Sequence, residues 1–350
     1  RVNRIVEAWK ALYEKYGVPV LIMADGPAGI RLQRSYKVNR ENDSVYGIGV
    51  LGSLENGFLV TEKPHQNADT YYQYCTAFPV GTALAQTWNA DLMTEFGKAI
   101  AEEMEEFRVN LWLAPGMNIH RNPLCGRNYE YYSEDPFLSG KMSVASTGGI
   151  KDGGAWGTIK HFALNDQETN RCSFLLTFAS EQTIREGYLK AFELATKGFE
   201  GKAMAVMSSF NWIGTVPSCA NNELLNNVLR GEWGFVGMVE TDYDGSYGYM
   251  ITDHCIRNGN DLMLGFNSAE SNKLTDESAT AVLAMRQACK NILYTVANSG
   301  YYADGNPASG MTNMTKLFVM IDVILAVVLI VVDTIVIVRW RKKKKQAVNE

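Results

Sequence analysis

The chain has 350 residues, a formal net charge of −5, 46% apolar residues and 11% aromatic residues. That is enough for one large domain or two small ones. Arg339, Arg341 and Lys342 to Lys345 crowd the C-terminus, so everything before them is more acidic than the total, which argues against a nucleic-acid-binding face. Six widely spaced cysteines and four histidines form no C-x-x-C and no H-x-x-x-H pair, so neither a metal site nor a cofactor is indicated and disulfides cannot be assigned.

The chain begins at Arg1, which suggests a processed or excerpted product with any signal peptide upstream. Val18 to Ala24 is an apolar run ending at Asp25-Gly26-Pro27, predicting a buried strand and a turn. Residues 33–75 are polar and poorly periodic, predicting a long functional or mobile loop. Asn89 is a good N-cap for a helix over Asp91 to Phe107, where Leu92, Phe96, Ile100, Met104 and Phe107 recur at three- and four-residue spacing.

Asn110 to Ala114 predicts the next strand, stopped by Pro115-Gly116, and a long polar segment runs from Asn118 to Pro136. Gly157 to Phe162 predicts a strand, Glu181 to Lys197 a helix capped by Ser180, and Ala203 to Met207 a strand ending at Ser208-Ser209-Phe210-Asn211. A short helix is expected over Glu223 to Arg230. Val236 to Val239 then reads as a buried strand running into Glu240-Thr241-Asp242-Tyr243-Asp244, with Gly245 next. A further strand is expected at Asp261 to Leu264 and a long helix over Asp276 to Ala297.

Alternating strands and helices imply a parallel sheet with crossover helices. Six or seven such units, each ending in polar residues, favour a (β/α)8 TIM-like barrel, here short of its first helix and so incomplete at its N-terminus. No G-x-G-x-x-G follows a strand, which removes the usual support for a dinucleotide site. Asp25, Lys160-His161, Asn211 and Asp242 all fall at strand C-terminal ends, where barrel active sites lie. A carboxylate at such a lip beside an aromatic suits a nucleophile facing a sugar. Alone, Asp242 also fits a turn or a helix cap, and His161 also fits a satisfied core histidine.

Leu317 to Val338 is an apolar run broken by Asp322, Asp333, Ala326 and Thr334, with the cationic cluster directly after it. At about 1.5 Å per residue it crosses a roughly 30 Å hydrocarbon core, so a single C-terminal transmembrane helix is expected. The expected division is a barrel over residues 1–300, a linker over 301–316, the span over 317–338 and a basic cytoplasmic tail over 339–350. The positive charges place the tail inside and the barrel outside the cell membrane. Asp322 and Asp333 lie about three turns apart on one helix face, where a partner helix is expected.

Gly126 to Pro136 is the most specific stretch, packing Arg127, Glu130, Glu134, Asp135 and three tyrosines into one loop able to grip a polyhydroxylated ligand. Read with Asp25 to Arg31, Lys160-His161-Phe162, Asn165 to Arg171, Arg185 to Glu193, Met207 to Asn211 and Thr241-Asp242-Tyr243, the chain resembles the family-3 glycoside hydrolases over roughly residues 18–300. The resemblance implies hydrolysis of terminal β-linked sugars with retention and Asp242 as nucleophile. It implies that Asp25, Arg127, Lys160, His161 and Arg171 hold the sugar's hydroxyls, with Met207 and Tyr243 against the same subsite.

The chain departs from the family pattern at Tyr243, where Trp is usual, and at Phe210, where Tyr is usual. Ala163-Leu164-Asn165-Asp166 replaces the His-containing loop of the N-acetylglucosamine-releasing subgroup, which makes that subgroup unlike this chain. A retaining enzyme needs a second carboxyl about 5–5.5 Å from the nucleophile. In most of the family it sits on a sandwich domain. The expectation is that an upstream domain carries it, as in members with reversed domain order, with Asp244 the candidate inside the chain. Alternative readings are a β-xylosidase or arabinosidase of the same family and a non-catalytic carbohydrate-binding membrane protein.

Overall fold

A computed structural model describes residues 15–19, 21–32, 34–43, 45–46, 67–197, 203–244, 247–265, 273–299 and 313–346. The chain separates into two compact units, Arg1–Pro307 and Ala308–Glu350. The expected first-helix region, Gly245, most of the linker and the end of the basic tail lie outside the described residues.

In chain order the strands are β1 (Met23–Asp25), β2 (Ser35–Asn39), β3 (Val45–Tyr46), β4 (Ala68–Tyr72), β5 (Leu111–Leu113), β6 (Trp156–Phe162), β7 (Leu176–Thr177), β8 (Ala205–Ser208), β9 (Trp212–Ile213), β10 (Val216–Pro217) and β11 (Met238–Thr241). The helices are α1 (Gly81–Ala85), α2 (Ala90–Glu106), α3 (Pro136–Asp152), α4 (Lys190–Thr196), α5 (Glu223–Glu232), α6 (Thr252–Arg257), α7 (Ala279–Ala297) and α8 (Asn313–Gln346). A turn of α-helix, Glu181–Thr183, and wider turns over Ile184–Tyr188 lead into α4.

Five strands form one parallel sheet in the order β1-β5-β6-β8-β11. Parallel neighbours need crossovers, and α2, α3 and α5 lie in the connections. The sheet is not closed among the described residues. Leu262 makes only a single parallel bridge to Glu240, and Gly265 one to Asp244, so the strand expected at Asp261 to Leu264 is reduced to isolated bridges. The described residues therefore form the α/β parallel sheet of a half-barrel, where a (β/α)8 TIM-like barrel incomplete at its N-terminus was expected.

Strand alternation sorts the side chains onto two faces. Ala24, Trp112, Ile159, Val206 and Val239 join helix side chains such as Met93, Ile100, Met142, Phe192 and Leu229 in the main core. Leu111, Trp156, Ala205 and Met238 form a smaller cluster on the opposite, inner face. Along that inner face toward the strand C-termini come Thr158, Met207 and Glu240, then Lys160, with Asp25 and Asp242 at the lip. Apolar below and charged above, this face positions the site.

Local signals hold where they were strongest. Asn89 accepts from Leu92 N at 3.0 Å and starts α2, and Ser180 accepts from Thr183 N at 3.2 Å. Within α2, Leu92 is exposed and Met93 is fully buried, so the apolar stripe is turned slightly from the expected one.

Other expectations are corrected. β1 occupies only the end of the run Val18 to Ala24. Residues expected as one loop between 33 and 75 include an antiparallel sheet, β3-β2-β4, in which Tyr36 pairs with Tyr71. Helix α3 was not expected, because Ser139, Gly140, Ser143, Ser146, Thr147 and Gly149 occupy its buried side and blur any apolar period. Those small residues let α2 and α3 approach closely. A Cβ on Gly97 would stand 2.2 Å from Ser146 O, and one on Gly149 would stand 2.1 Å from Thr94 O.

The second unit holds α8. Its segment Val319–Arg339 is long and apolar enough to cross a membrane, and none of it is buried within the protein.

Candidate active site

Asp25 ends β1, and the chain then doubles back. Gly26 and Gly29 adopt φ of +117° and +122°, and a Cβ on Gly26 would meet Gly29 O at 2.1 Å, so a side chain is excluded from this turn. The turn returns Arg31 to Asp25, with the guanidinium 2.5 Å from Asp25 Oδ2, while Lys160 Nζ lies 2.5 Å from Asp25 Oδ1. Burial pushes the Asp25 carboxyl up, but the Lys160 and Arg31 charges prevail and hold it at about 2. Asp25 is thus a fixed, ionised acceptor.

Lys160 and His161 sit where β6 loses register with β8, between Ile159 and Phe162. The loop after β5 clamps them. Met117 N donates to Lys160 O at 2.7 Å, and Lys160 N donates to Pro115 O at 3.0 Å. The Asn118 amide donates to His161 O and accepts from His161 N, both at 2.8 Å. Tyr131 Oη lies 3.1 Å from His161 Nδ1. Burial, then the charges of Arg127, Lys160 and Arg171, push the imidazole well below its usual range, so His161 is neutral. Its Nε2 stands 3.7 Å from Asp242 Oδ2, which is a close contact rather than an ion pair.

Asp242 follows β11 at the lip. Its backbone N donates to Ser208 O at 3.0 Å, tying it to the end of β8. Tyr243 N donates to Asp242 Oδ1 at 2.7 Å. The other oxygen, Oδ2, is buried and has no hydrogen-bond partner among the described residues. Burial raises the Asp242 carboxyl, and Arg171, Arg127 and Lys160, in that order, pull it back.

Two of those cations are held by acids of their own. Arg127 is 2.5 Å from Glu130 Oε1, and Arg171 Nε is 3.1 Å from Glu168 Oε2. The Arg171 guanidinium also lies over the Phe210 ring, 4.3 Å from its centroid, so the aromatic that departs from the family pattern has a cation on its face. Met207, on β8, is buried beside this inner face, and Tyr243 is partly buried against the Phe210 and Tyr249 cluster. Asp244 is buried and bridges to Gly265. Asp25, Lys160, His161, Arg127, Arg171 and Asp242 are thus joined by direct contact or by charge.

Asn118, Tyr131 and Glu168 were not singled out from sequence. Tyr131 and Glu168 lie inside the quoted motifs, but nothing in the order of residues shows that Asn118 spans to His161. Among the described residues, no cluster of three His, Cys, Asp or Glu side chains has the arrangement of a metal site.

Carboxylates that accept, cations that only donate and a neutral imidazole, arranged around a carboxylate oxygen with no hydrogen-bond partner among the described residues, have the chemistry to hydrogen-bond a polyhydroxylated ligand. The Glycosyl hydrolase family 3 N terminal domain matches residues 63–263, and the chain belongs to that family. Beta-glucosidase A of Butyrivibrio fibrisolvens is 39% identical over 73% of this chain and 26% of its own length. The exo-alpha-(1->6)-L-arabinopyranosidase of Bifidobacterium longum is 36% identical over 66% of this chain and 27% of its own. The structure of beta-glucosidase 3B from Thermotoga neapolitana in complex with alpha-D-glucose superposes with a TM-score of 0.66 at 36% identity, over 84% of this chain and 38% of that one. The chain thus spans 26–27% of the length of these two curated relatives.

Proposed function

We propose that this chain carries the nucleophile and first sugar subsite of a retaining β-glycosidase of the β-glucosidase type. The observation that carries this is Asp242, with Oδ1 tethered by the Tyr243 N–H and Oδ2 buried, without a hydrogen-bond partner among the described residues and subject to the positive charge of Arg171, Arg127 and Lys160. Oδ2 attacks the anomeric carbon and the glycosidic C–O bond breaks. The leaving oxygen takes a proton from a general acid, and water, deprotonated by the same residue, later cleaves the glycosyl ester. Asp25 accepts from sugar hydroxyls, Arg127, Lys160 and Arg171 donate to them, and neutral His161 presents Nε2 to the sugar beside Asp242. Met207 and Tyr243 border the same subsite.

The acid/base comes from residues outside this chain. Glu130 and Glu168 are engaged by Arg127 and Arg171, and the curated relatives named above are nearly four times as long as the part this chain matches. The arabinopyranosidase relative supports a second substrate reading, an arabinose-releasing enzyme.

The proposed layout is a sugar-processing domain over 1–300, a linker over 301–316, a membrane span over 317–338 and a cytoplasmic tail over 339–350, with the sugar site outside the cell. The apolar segment Val319–Arg339 supports this layout.

The test uses activated 2-fluoro glycosides of gluco, xylo and arabino configuration, whose leaving groups need no acid. The full chain is expected to be labelled at Asp242, fastest by the gluco probe, and Asp242→Asn is expected to abolish labelling while folding is kept. A chain that binds sugar but is never labelled would be a carbohydrate-binding protein instead.

A further inference from the structure

One buried acid has no part in that scheme. Glu240 lies two residues before Asp242 on β11 and is wholly inaccessible to solvent. At a strand rise of about 3.3 Å per residue, the two lie roughly 7 Å apart along the same inner face. Both Glu240 carboxyl oxygens are buried without a hydrogen-bond partner among the described residues, as is Thr158 Oγ1 on the same face. Apolar groups flank it, with Met207 opposite in register on β8 and Leu262 bridged to its backbone. The charged groups that act on it are Lys160 from β6, Asp25 from β1 and Asp242 from its own strand. Met207 on β8, Leu113 on β5 and Leu262 contribute none.

We propose that Glu240 is a positioning residue for the sugar site, a proton-bearing carboxyl beneath Lys160 and Asp242 whose ionisation disables the nucleophile. This rests on the function proposed above. When protonated, Glu240 leaves Lys160 paired with Asp25. When its proton passes to solvent, the new carboxylate competes with Asp25 for Lys160 and places a like charge beside Asp242. Burial, only partly opposed by Lys160, raises the Glu240 carboxyl from 4.5 to about 8, which puts this event just above neutral pH.

Two measurements on the full chain test it. The first is the rate of Asp242 labelling by an activated 2-fluoro glycoside against pH. Because that leaving group needs no proton, a missing or ionised general acid produces no alkaline fall. The unmodified chain is expected to lose about tenfold in rate per pH unit beyond a midpoint of about 8, while Glu240→Gln and Glu240→Leu stay level.

The second is the melting temperature against pH. The folded chain keeps a proton that the unfolded chain has lost, so the unmodified chain should lose stability relative to Glu240→Gln from pH 4.5 to about 8 and no further above it. If one variant fails to fold, the other carries both comparisons. The same alkaline fall in all chains, or a melting difference independent of pH, overturns the role of Glu240 alone. No labelling of the unmodified chain at any pH, with the melting difference present, overturns the proposed function and this role with it.

Discussion

At the scale of single residues, Lys160 separates binding from stability least cleanly. Its side chain is 3% exposed, and the Asp25 side chain it pairs with is 28% exposed. Removing one partner of a largely buried pair weakens the compensation of the other charge, which here is left to Arg31. Lys160→Met is therefore expected to lower both labelling at Asp242 and the melting temperature.

Asp25 itself has a folded value near 2 against 3.8 unfolded, a depressed acid. It contributes about 2 kcal/mol that is fully present above pH 3.8 and is lost as pH falls through about 2. An acid titration followed by circular dichroism should show this loss in the unmodified chain and not in Asp25→Asn. Equal acid sensitivity of the two would remove the ion pair from the account.

At the scale of elements, the contact of α2 with α3 depends on glycine. The backbone O atoms of Ser146 and Thr94 occupy the space that side chains at Gly97 and Gly149 would need. Overpacking of this kind costs typically 1–3 kcal/mol. Gly149→Ala should lower the denaturant midpoint accordingly, whereas Gly187→Ala, where nothing lies within 4 Å, should change it little. A tolerated Gly149→Ala would mean that the helices can separate without loss. Helix α3 starts where Asp135 accepts from Phe137 N at 2.7 Å and from Leu138 N at 3.2 Å. Asp135→Ala should cost about 1 kcal/mol through the lost cap.

At the scale of the whole molecule, the two units lead to a separate prediction. An acid near the middle of a membrane span costs about 2.5–3.5 kcal/mol, while each Leu, Ile, Val or Phe returns about 0.3–0.6. The many apolar residues of Val319–Arg339 offset much of the cost of Asp322 and Asp333. The full chain is expected to fractionate with cell membranes and to resist alkaline and high-salt washes, and a chain lacking Asn313–Gln346 is expected to stay in the supernatant. Extraction of the full chain by salt alone would mean that α8 does not cross a bilayer.

What the sequence by itself determined was local or ordered along the chain. The Asn89 and Ser180 caps follow from a side chain reaching a backbone N–H three residues on. The membrane-length run of α8 follows from composition. Strand ends bearing Asp25, Lys160 and Asp242 follow from where apolar runs stop, and the family motifs single these residues out as candidates. Tertiary structure alone decided the rest. The Asn118 clamp, the neutrality of His161, the Asp242 Oδ2 with no hydrogen-bond partner among the described residues and the burial of Glu240 depend on groups distant in sequence. A carboxyl's charge and a helix's buried face depend on what lies within a few ångströms in space. The small-residue face of α3 carries no periodic signal that would reveal its neighbours beforehand.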